Sequence, residues 1–184
     1  LELYCTGNKG CVDLTLTGSP TVTEVTSSAN QAMEGVNFTS TFSSSQLTMT
    51  CSVYKSCKDV KIKGGSNIGS IDLSCGTSST PCQNFKFEGT AGFINVDCLK
   101  DHACLGMQVK GSPTQVQVDC EDVEACENLV MNNAASEIRI ACTSGSNVCK
   151  GLSYTQARPS GASWILCVGN GIITPLSGVS SSHL

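Results

Sequence analysis

The sequence has few charged residues, few histidines and no long apolar run, and these shortages exclude several classes of function. Charged residues are 14% of the 184 residues, against about 25% in an average soluble domain. The net charge of −4 gives no basic surface for nucleic acid. No apolar run reaches the roughly 18 residues that a membrane span needs, so no membrane insertion is expected. With two histidines and two arginines, most hydrolytic and phosphoryl-transfer sites are improbable, and we expect no enzyme and no cofactor.

Cysteine, by contrast, is abundant, with 13 residues in the chain. Twelve of them form close pairs with five or six residues between partners: Cys5 and Cys11, Cys51 and Cys57, Cys75 and Cys82, Cys98 and Cys104, Cys120 and Cys126, and Cys142 and Cys149. Zinc sites usually place about two to four residues between paired ligands. The pairs therefore favour disulfides in an oxidising compartment, and we expect an extracellular protein, secreted or on a cell surface. Because no initiator methionine and no signal segment begins the sequence, we expect either a removed secretory signal or an interior piece of a longer chain.

The cysteines also mark a repeat, whose units we call rungs. Leading cysteines are 46, 24, 23, 22, 22 and 25 residues apart, and 46 is two periods. When the rungs are aligned one below another, the cysteines form two columns. Placing Ser27 and Met33 in these columns restores the rung missing from the 46-residue gap. The chain then contains seven full rungs and the start of an eighth.

Each rung shows two short stretches of period-two alternation, which predict two strands with one face inward. The position two before the leading cysteine is apolar in every rung, as are the positions three and five after the second cysteine. Turn residues stand two and seven positions after the second cysteine. They are chiefly Gly, Asn and Asp, which tolerate positive φ. The first of these columns contains Asp13, Gly35, Asp59, Asn84, Gly106, Asn128 and Gly151, and the second contains Gly18, Ser40, Gly64, Gly89, Gly111, Asn133 and Gln156. Strand, bend, strand and turn make one coil of a solenoid.

Coils of 22–25 residues with inward aliphatic stacks and Asn-containing turns resemble the right-handed parallel β-helix, the architecture of pectate lyases. The paired cysteines resemble the cysteine-rich β-helical repeats of protist and algal surface proteins. The predicted fold class is all-β, a parallel β-helix (β-solenoid) of about seven to eight coils stapled by disulfides, over residues 1–176, with a Ser-rich tail or linker at 177–184. A leucine-rich repeat fits less well, because no helical period is present.

Two disulfide pairings are geometrically possible, either within each rung or between stacked rungs. The second rung lost both cysteines together, which favours bonds within a rung. Cys167 has no partner in its own rung, where Ile173 stands in the partner column. We therefore treat Cys167 as a candidate for an intermolecular bond.

Asp97 and Asp119 occupy one outward column in adjacent rungs, with the loop carboxylates Asp101, Glu121, Asp122 and Glu124 beside them. Stacked carboxylates repel each other, and a hard cation such as calcium would relieve that repulsion. The resemblance to pectate lyases implies a calcium and polygalacturonate cleft at this position. No Arg or Lys aligns on the same face as a base, so a solvated acidic face is the expectation and no metal is predicted.

The outer face of the second strands carries lysines in successive rungs, namely Lys61, Lys63, Lys86 and Lys110. These lysines are either ordinary surface charge that blunts sheet association or a surface for lateral packing or an anionic glycan. Asn37-Phe38-Thr39 is a sequon on the same face, which makes Asn37 a candidate glycosylation site.

Together these features predict a non-enzymatic structural solenoid of a cell-surface, matrix or filament (flagellar-hair type) assembly. Its expected partners are copies of itself or further segments of a longer chain, and possible glycans. The alternative is a carbohydrate-binding or carbohydrate-processing β-helix that acts through the acidic face at Asp97 and Asp119.

Overall fold

The computed structural model describes residues 1–63, 68–76, 78–133, 135–143, 145–155 and 164–167. Over these residues the chain is an all-β parallel solenoid built from two sheets. Among them there is no helix of the length and apolarity needed to cross a membrane. The predicted fold class, an all-β parallel β-solenoid, is confirmed.

The strands, numbered in chain order, alternate between the two sheets, and all their pairings are parallel. Sheet A contains β1 (Glu2–Cys5), β3 (Val22–Ser27), β5 (Ser44–Cys51), β7 (Ile68–Cys75), β9 (Ala91–Cys98), β11 (Gln115–Glu121), β13 (Glu137–Thr143) and β15 (Trp164–Cys167). Sheet B contains β2 (Thr15–Leu16), β4 (Asn37–Phe38), β6 (Lys61–Ile62), β8 (Lys86–Gly89), β10 (Gln108–Gly111), β12 (Val130–Asn133) and β14 (Ser153–Thr155). Each strand pairs with the equivalent strand of the next rung, so equivalent residues stack in columns.

The register confirms the placement of the rung that lacks cysteines. Ser27 pairs with Cys5 on one side and with Cys51 on the other, as a member of the leading cysteine column must. A slip of one residue would have moved the apolar residues of β3 from the core to solvent, which is why the alternation fixes the register.

The core is a narrow stack of inward side chains from both sheets. Its largest fully buried members are Phe38, Phe42, Phe85, Phe87, Met33, Leu47, Met49, Ile62, Ile71, Leu73, Ile94 and Met107. Burial of such a side chain contributes about 1.5–3 kcal/mol. Phe38 and Phe42 meet edge to face with ring centroids 5.0 Å apart, so a residue of the turn after β4 also enters the core.

Six disulfides close the bends between the sheet A and sheet B strands, each within one coil: Cys5–Cys11, Cys51–Cys57, Cys75–Cys82, Cys98–Cys104, Cys120–Cys126 and Cys142–Cys149. The alternative of bonds between stacked rungs is not the arrangement observed. A bridge over a loop of this size stabilises the fold by roughly 2–2.5 kcal/mol through chain entropy. The sulfur atoms of Cys98, Cys120 and Cys126 also lie within 4.8 Å of one another, so neighbouring bridges stack on each other.

Every described bend contains at least two residues in the left-handed region of φ, and these two fall in the same two columns throughout. One column is the predicted column of Asp, Asn and Gly, from Asp13 at 54° to Gly151 at 71°. The other lies two positions before the second cysteine column, and the sequence did not single it out. Its members are Lys9, Gln31, Lys55, Thr80, His102, Glu124 and Asn147. The backbone bonds between stacked bends, such as that from the Cys104 nitrogen to the Ala125 oxygen at 2.8 Å, hold residues that rarely adopt this conformation alone.

The second predicted turn column is less uniform. Gly18 and Gly111 have φ near 100°, whereas Gly89 is not in the left-handed region. Gly89 and Gly111 each end a strand, β8 and β10. Gly64 and Gln156 lie outside the described residues, as do Ile173 and the predicted tail at 177–184. Cys167 ends β15, where its backbone pairs with Cys142; its bonding partner stays a prediction.

Candidate functional site

We call the outward face of sheet A around Asp72, Asp97 and Asp119 the acidic face. The period-two alternation of the strands places these three side chains on that face. Asp97 in β9 and Asp119 in β11 are direct register partners, and both are half-buried. Burial raises the pKa of Asp97, and the carboxylates of Asp119, Glu121 and Asp72 raise it further. Stacking in a parallel sheet therefore destabilises the charge on Asp97.

The carboxylate of Asp119 is held by its own strand. Gln117 Nε2 donates a hydrogen bond to Asp119 Oδ2 at 2.8 Å, two residues away on the same face. The geometry thus joins the two predicted aspartates in one column, with an amide beside them. Their role as calcium candidates stays a prediction.

A groove of about 250 Å³ lies on the same face beside these aspartates. Its lining residues come from three neighbouring strands of sheet A and are Phe93, Gln115, Val116, Gln117, Glu137 and Arg139. Phe93, Gln115 and Glu137 form one stacked column, and Gln117 and Arg139 belong to the next. The groove therefore combines an aromatic ring with amide, carboxylate and guanidinium groups.

Glu137 organises the polar side of the groove. Gln115 Nε2 donates to Glu137 Oε2 at 2.7 Å, and Arg139 Nε donates to Glu137 Oε1 at 2.6 Å. Our expectation that no Arg or Lys lies on this face was wrong, because it considered only the column of the aspartates. Arg139 precedes that column by two residues and therefore shares its face.

The basic face is the outward face of sheet B, which carries Lys61, Lys63, Lys86 and Lys110. Lys61 and Lys86 are direct register partners, and Lys61 Nζ lies 3.4 Å from Glu88 Oε2. Asn37 stacks on Lys61 in the same sheet. Its backbone nitrogen donates to the Leu14 oxygen at 2.9 Å, which fixes its position between coils. Glycosylation of Asn37 stays a prediction.

A further group of polar residues lies on the bends, and we call Asp101, His102, Glu124 and Glu127 the bend cluster. The imidazole of His102 lies between carboxylates, with Nδ1 2.6 Å from Asp101 Oδ1 and Nε2 2.6 Å from Glu124 Oε2. Glu127 Oε2 lies 3.7 Å from the same Nε2. Asp101, His102 and Glu124 are arranged closely enough to hold a metal ion.

Asp101 and Glu124 were predicted only to be loop carboxylates near Asp97, and no role was predicted for His102. His102 and Glu124 occupy the bend column two before the second cysteine, which follows no apolar or Gly pattern. Listing that column rung by rung would have placed His102 next to Glu124, and Glu124 next to Asn147.

Comparison with protein-family models, with curated proteins and with solved structures gives no significant match.

Proposed function

We propose that this solenoid is a non-enzymatic structural module of an extracellular assembly, such as a cell-surface layer, a matrix or a filament of flagellar-hair type. The observation that carries the proposal is the uninterrupted column of stacked bends, each closed by a disulfide except in the second rung. Disulfides are consistent with an oxidising, extracellular compartment. The resemblance to right-handed parallel β-helices and to cysteine-rich surface proteins of protists and algae supports the same role.

A disulfide in nearly every rung favours a stiff rod. In solenoids each repeat contacts only its neighbours, so local opening of one repeat is the usual weak point. A covalent link across each bend limits such opening, because the bend cannot separate from its two strands. This arrangement suits a module that bears load more than one that changes shape.

The two faces supply a means of association. The acidic face carries Asp97 and Asp119 in one column, and the basic face carries Lys61 and Lys86 in one column. We infer that one solenoid packs laterally against another, acidic face to basic face. Complementary charge of this kind sets the register of association and weakens at high salt.

Charge reversal tests the proposal. The native protein is examined by sedimentation and negative-stain imaging, with and without EDTA and reductant, and is expected to associate at low salt in the presence of chelator. The Lys61→Glu/Lys86→Glu variant reverses the charge of one stacked column on the basic face. The Asp97→Lys/Asp119→Lys variant reverses the charge of one stacked column on the acidic face. Each variant alone should be monomeric, and an equimolar mixture should associate again.

The outcomes separate this proposal from its rivals. Monodisperse short rods at every salt concentration would contradict lateral assembly. Association that persists unchanged in both variants would contradict the role of the charged faces. Association that EDTA abolishes would instead assign the contact to a metal.

A second candidate function is carbohydrate binding by the acidic face, and the groove beside Phe93 is the observation that favours it. Sugars are recognised by aromatic rings that stack on their apolar faces and by planar polar groups that bond their hydroxyls. Phe93 supplies the aromatic ring, and Gln117 and Arg139 supply the planar polar groups. A pectate-lyase-like reaction would in addition use Asp97 and Asp119.

Screening of acidic and neutral polysaccharides tests this candidate. Binding that Phe93→Ala and Arg139→Gln both weaken, and that Lys63→Gln on the other sheet leaves unchanged, would support a glycan site. Cleavage lost in Asp97→Asn or Asp119→Asn would make the protein an enzyme. Absence of both binding and cleavage would leave the structural function alone.

A further inference from the structure

The bend cluster brings two carboxylates to the Nε2 side of the His102 imidazole ring. His102 and Glu124 are equivalent residues of adjacent rungs, and Glu127 follows Glu124 by one turn of the bend. Glu124 Oε2 lies 2.6 Å and Glu127 Oε2 3.7 Å from His102 Nε2. The ring nitrogen and the two carboxylates offer electron pairs that a metal cation can share, and Glu127 Oε1 also lies 3.5 Å from Lys150 Nζ.

The opposite side of the ring is what separates this cluster from a group of acidic residues. Asp101 Oδ1 lies 2.6 Å from His102 Nδ1, in position to accept its N–H. A carboxylate on one ring nitrogen fixes the tautomer that exposes the lone pair of the other nitrogen, and metal-binding histidines in proteins are usually oriented in this way. Asp101 therefore aims Nε2 at the two glutamates.

The backbone beneath the cluster is fixed before any ion binds. The disulfides Cys98–Cys104 and Cys120–Cys126 close the two bends that carry the cluster. The His102 nitrogen donates to the Val123 oxygen at 3.2 Å, which joins the bends directly. The glutamate side chains are about one-fifth exposed, 22% for Glu124 and 18% for Glu127. An ion can therefore reach them from solvent.

We propose that the bend cluster is a binding site for a divalent transition metal ion, with Zn²⁺ as the ion of choice. Its ligands are Nε2 of His102 and the carboxylates of Glu124 and Glu127, and Asp101 is the positioning residue. One nitrogen and two oxygens suit Zn²⁺, which takes four ligands at about 2.0–2.2 Å, and solvent completes the set. Calcium is disfavoured, because it prefers about six to eight oxygen ligands. The ion would clamp two neighbouring bends at their outer surface.

Titration of the full, oxidised chain with Zn²⁺ by calorimetry tests the proposal. We expect one saturable site, and His102→Asn should remove it. Asparagine is the suitable replacement, because His102 has a φ of 53° and Asn147 occupies the same column with a φ of 57°. Glu124→Gln should likewise weaken binding, and Asp101→Asn should weaken it by about 10- to 100-fold, as loss of an outer-sphere partner does.

Two matched controls locate the site. His183→Asn removes the other histidine of the chain, and Glu34→Gln removes a glutamate that pairs with Lys58 at 2.6 Å on a distant bend. Both controls should bind Zn²⁺ as the native protein does. In nitrogen-15 spectra of the imidazole, Zn²⁺ should shift Nε2 of His102 and leave Nδ1 protonated.

Several results would overturn the proposal. They are the absence of saturable Zn²⁺ binding, equal binding by native protein and His102→Asn, and equal affinity for Ca²⁺. If His102→Asn failed to form its disulfides, Glu124→Gln and the imidazole spectra of the native protein would still decide the outcome.

Discussion

The thioether sulfur of Met33 lies 4.0 Å from Sγ of Cys57 in the next rung. Met33 stands in the second cysteine column of the rung without a disulfide, and Ser27 stands in the first. Ser27 Oγ donates a hydrogen bond to the backbone oxygen of Ser56 at 3.3 Å. Ser27 and Ser56 are both fully buried. The rung therefore keeps its place in the stack by packing and a hydrogen bond instead of a covalent link.

Restoring the missing bridge should stabilise the solenoid. The double variant Ser27→Cys/Met33→Cys places two cysteines where every other full rung has them. Closing a loop of this size contributes about 2 kcal/mol in the chain-entropy treatment, part of which is offset by the lost Ser27 hydrogen bond and by the smaller side chain at the buried position of Met33. Free-thiol counting should show no new thiols, and the chemical denaturation midpoint should rise. The single variant Ser27→Cys is the control, and a midpoint below that of the native protein with the bridge formed would contradict the prediction.

Gly106 is a position where a side chain should be costly. Its φ is 67°, and a Cβ atom there would lie 2.7 Å from Oδ1 of Asn84 in the rung below. Gly106→Ala should therefore lower the free energy of unfolding by about 1–3 kcal/mol. Gly7→Ala is the control, because nothing lies within 4 Å of a Cβ atom at that glycine. Equal stability of the two variants would show that the bends do not pack as tightly as the structure indicates.

Asp97 should make stability depend on pH in a defined direction. Burial, together with the nearby carboxylates, raises its pKa in the folded state, so the native protein loses stability as pH rises through that pKa. Asp97→Asn should be more stable than the native protein at neutral pH, by less than about 1 kcal/mol because solvent screens a half-exposed group. The difference should vanish as pH falls below the ordinary pKa of aspartate.

The Asp119→Asn variant tests the cause of that shift. Removing the neighbouring charge should lower the pKa of Asp97, which carbon-13 spectra of its carboxyl group measure directly. A pKa that stays unchanged in this variant would show that burial alone produces the shift.

The strands were predictable from the sequence because each inward column repeats one chemical property. Val25, Val96 and Val118 are interchangeable in their column, and period-two alternation assigns their faces without any knowledge of the partner strand. The within-rung disulfides were predictable for a related reason, since the joint loss at Ser27 and Met33 revealed which positions depend on each other.

The bends and the groove were less predictable, because their geometry is imposed by stacking and not by composition. Thr80 adopts a φ of 57° although a β-branched residue disfavours it. Arg139 joins the groove through its contact with Glu137 across two residues of one strand. The columns that contain Thr80, Arg139 and His102 do not repeat one residue type from rung to rung. The sequence pattern therefore contained no signal for these three positions.

The last prediction concerns Lys61 and Lys86, which are direct register partners on the basic face. Like charges directly opposite each other in a sheet are destabilising, and opposite charges contribute about 0.2–1 kcal/mol. Lys86→Glu should therefore raise the free energy of unfolding, measured by chemical denaturation at low salt. The gain should shrink at high salt, because the pair is near the surface.

The same substitution should weaken the proposed lateral association, since it removes a positive charge that faces the acidic surface of a neighbour. Stability and association would thus change in opposite directions, so weaker association could not be attributed to unfolding. Lys86→Gln removes the repulsion without adding an attraction, and both of its effects should be intermediate. A destabilised Lys86→Glu variant would contradict the stacking of the two lysines, and a stabilised variant that associates as the native protein does would remove the basic face from the interface.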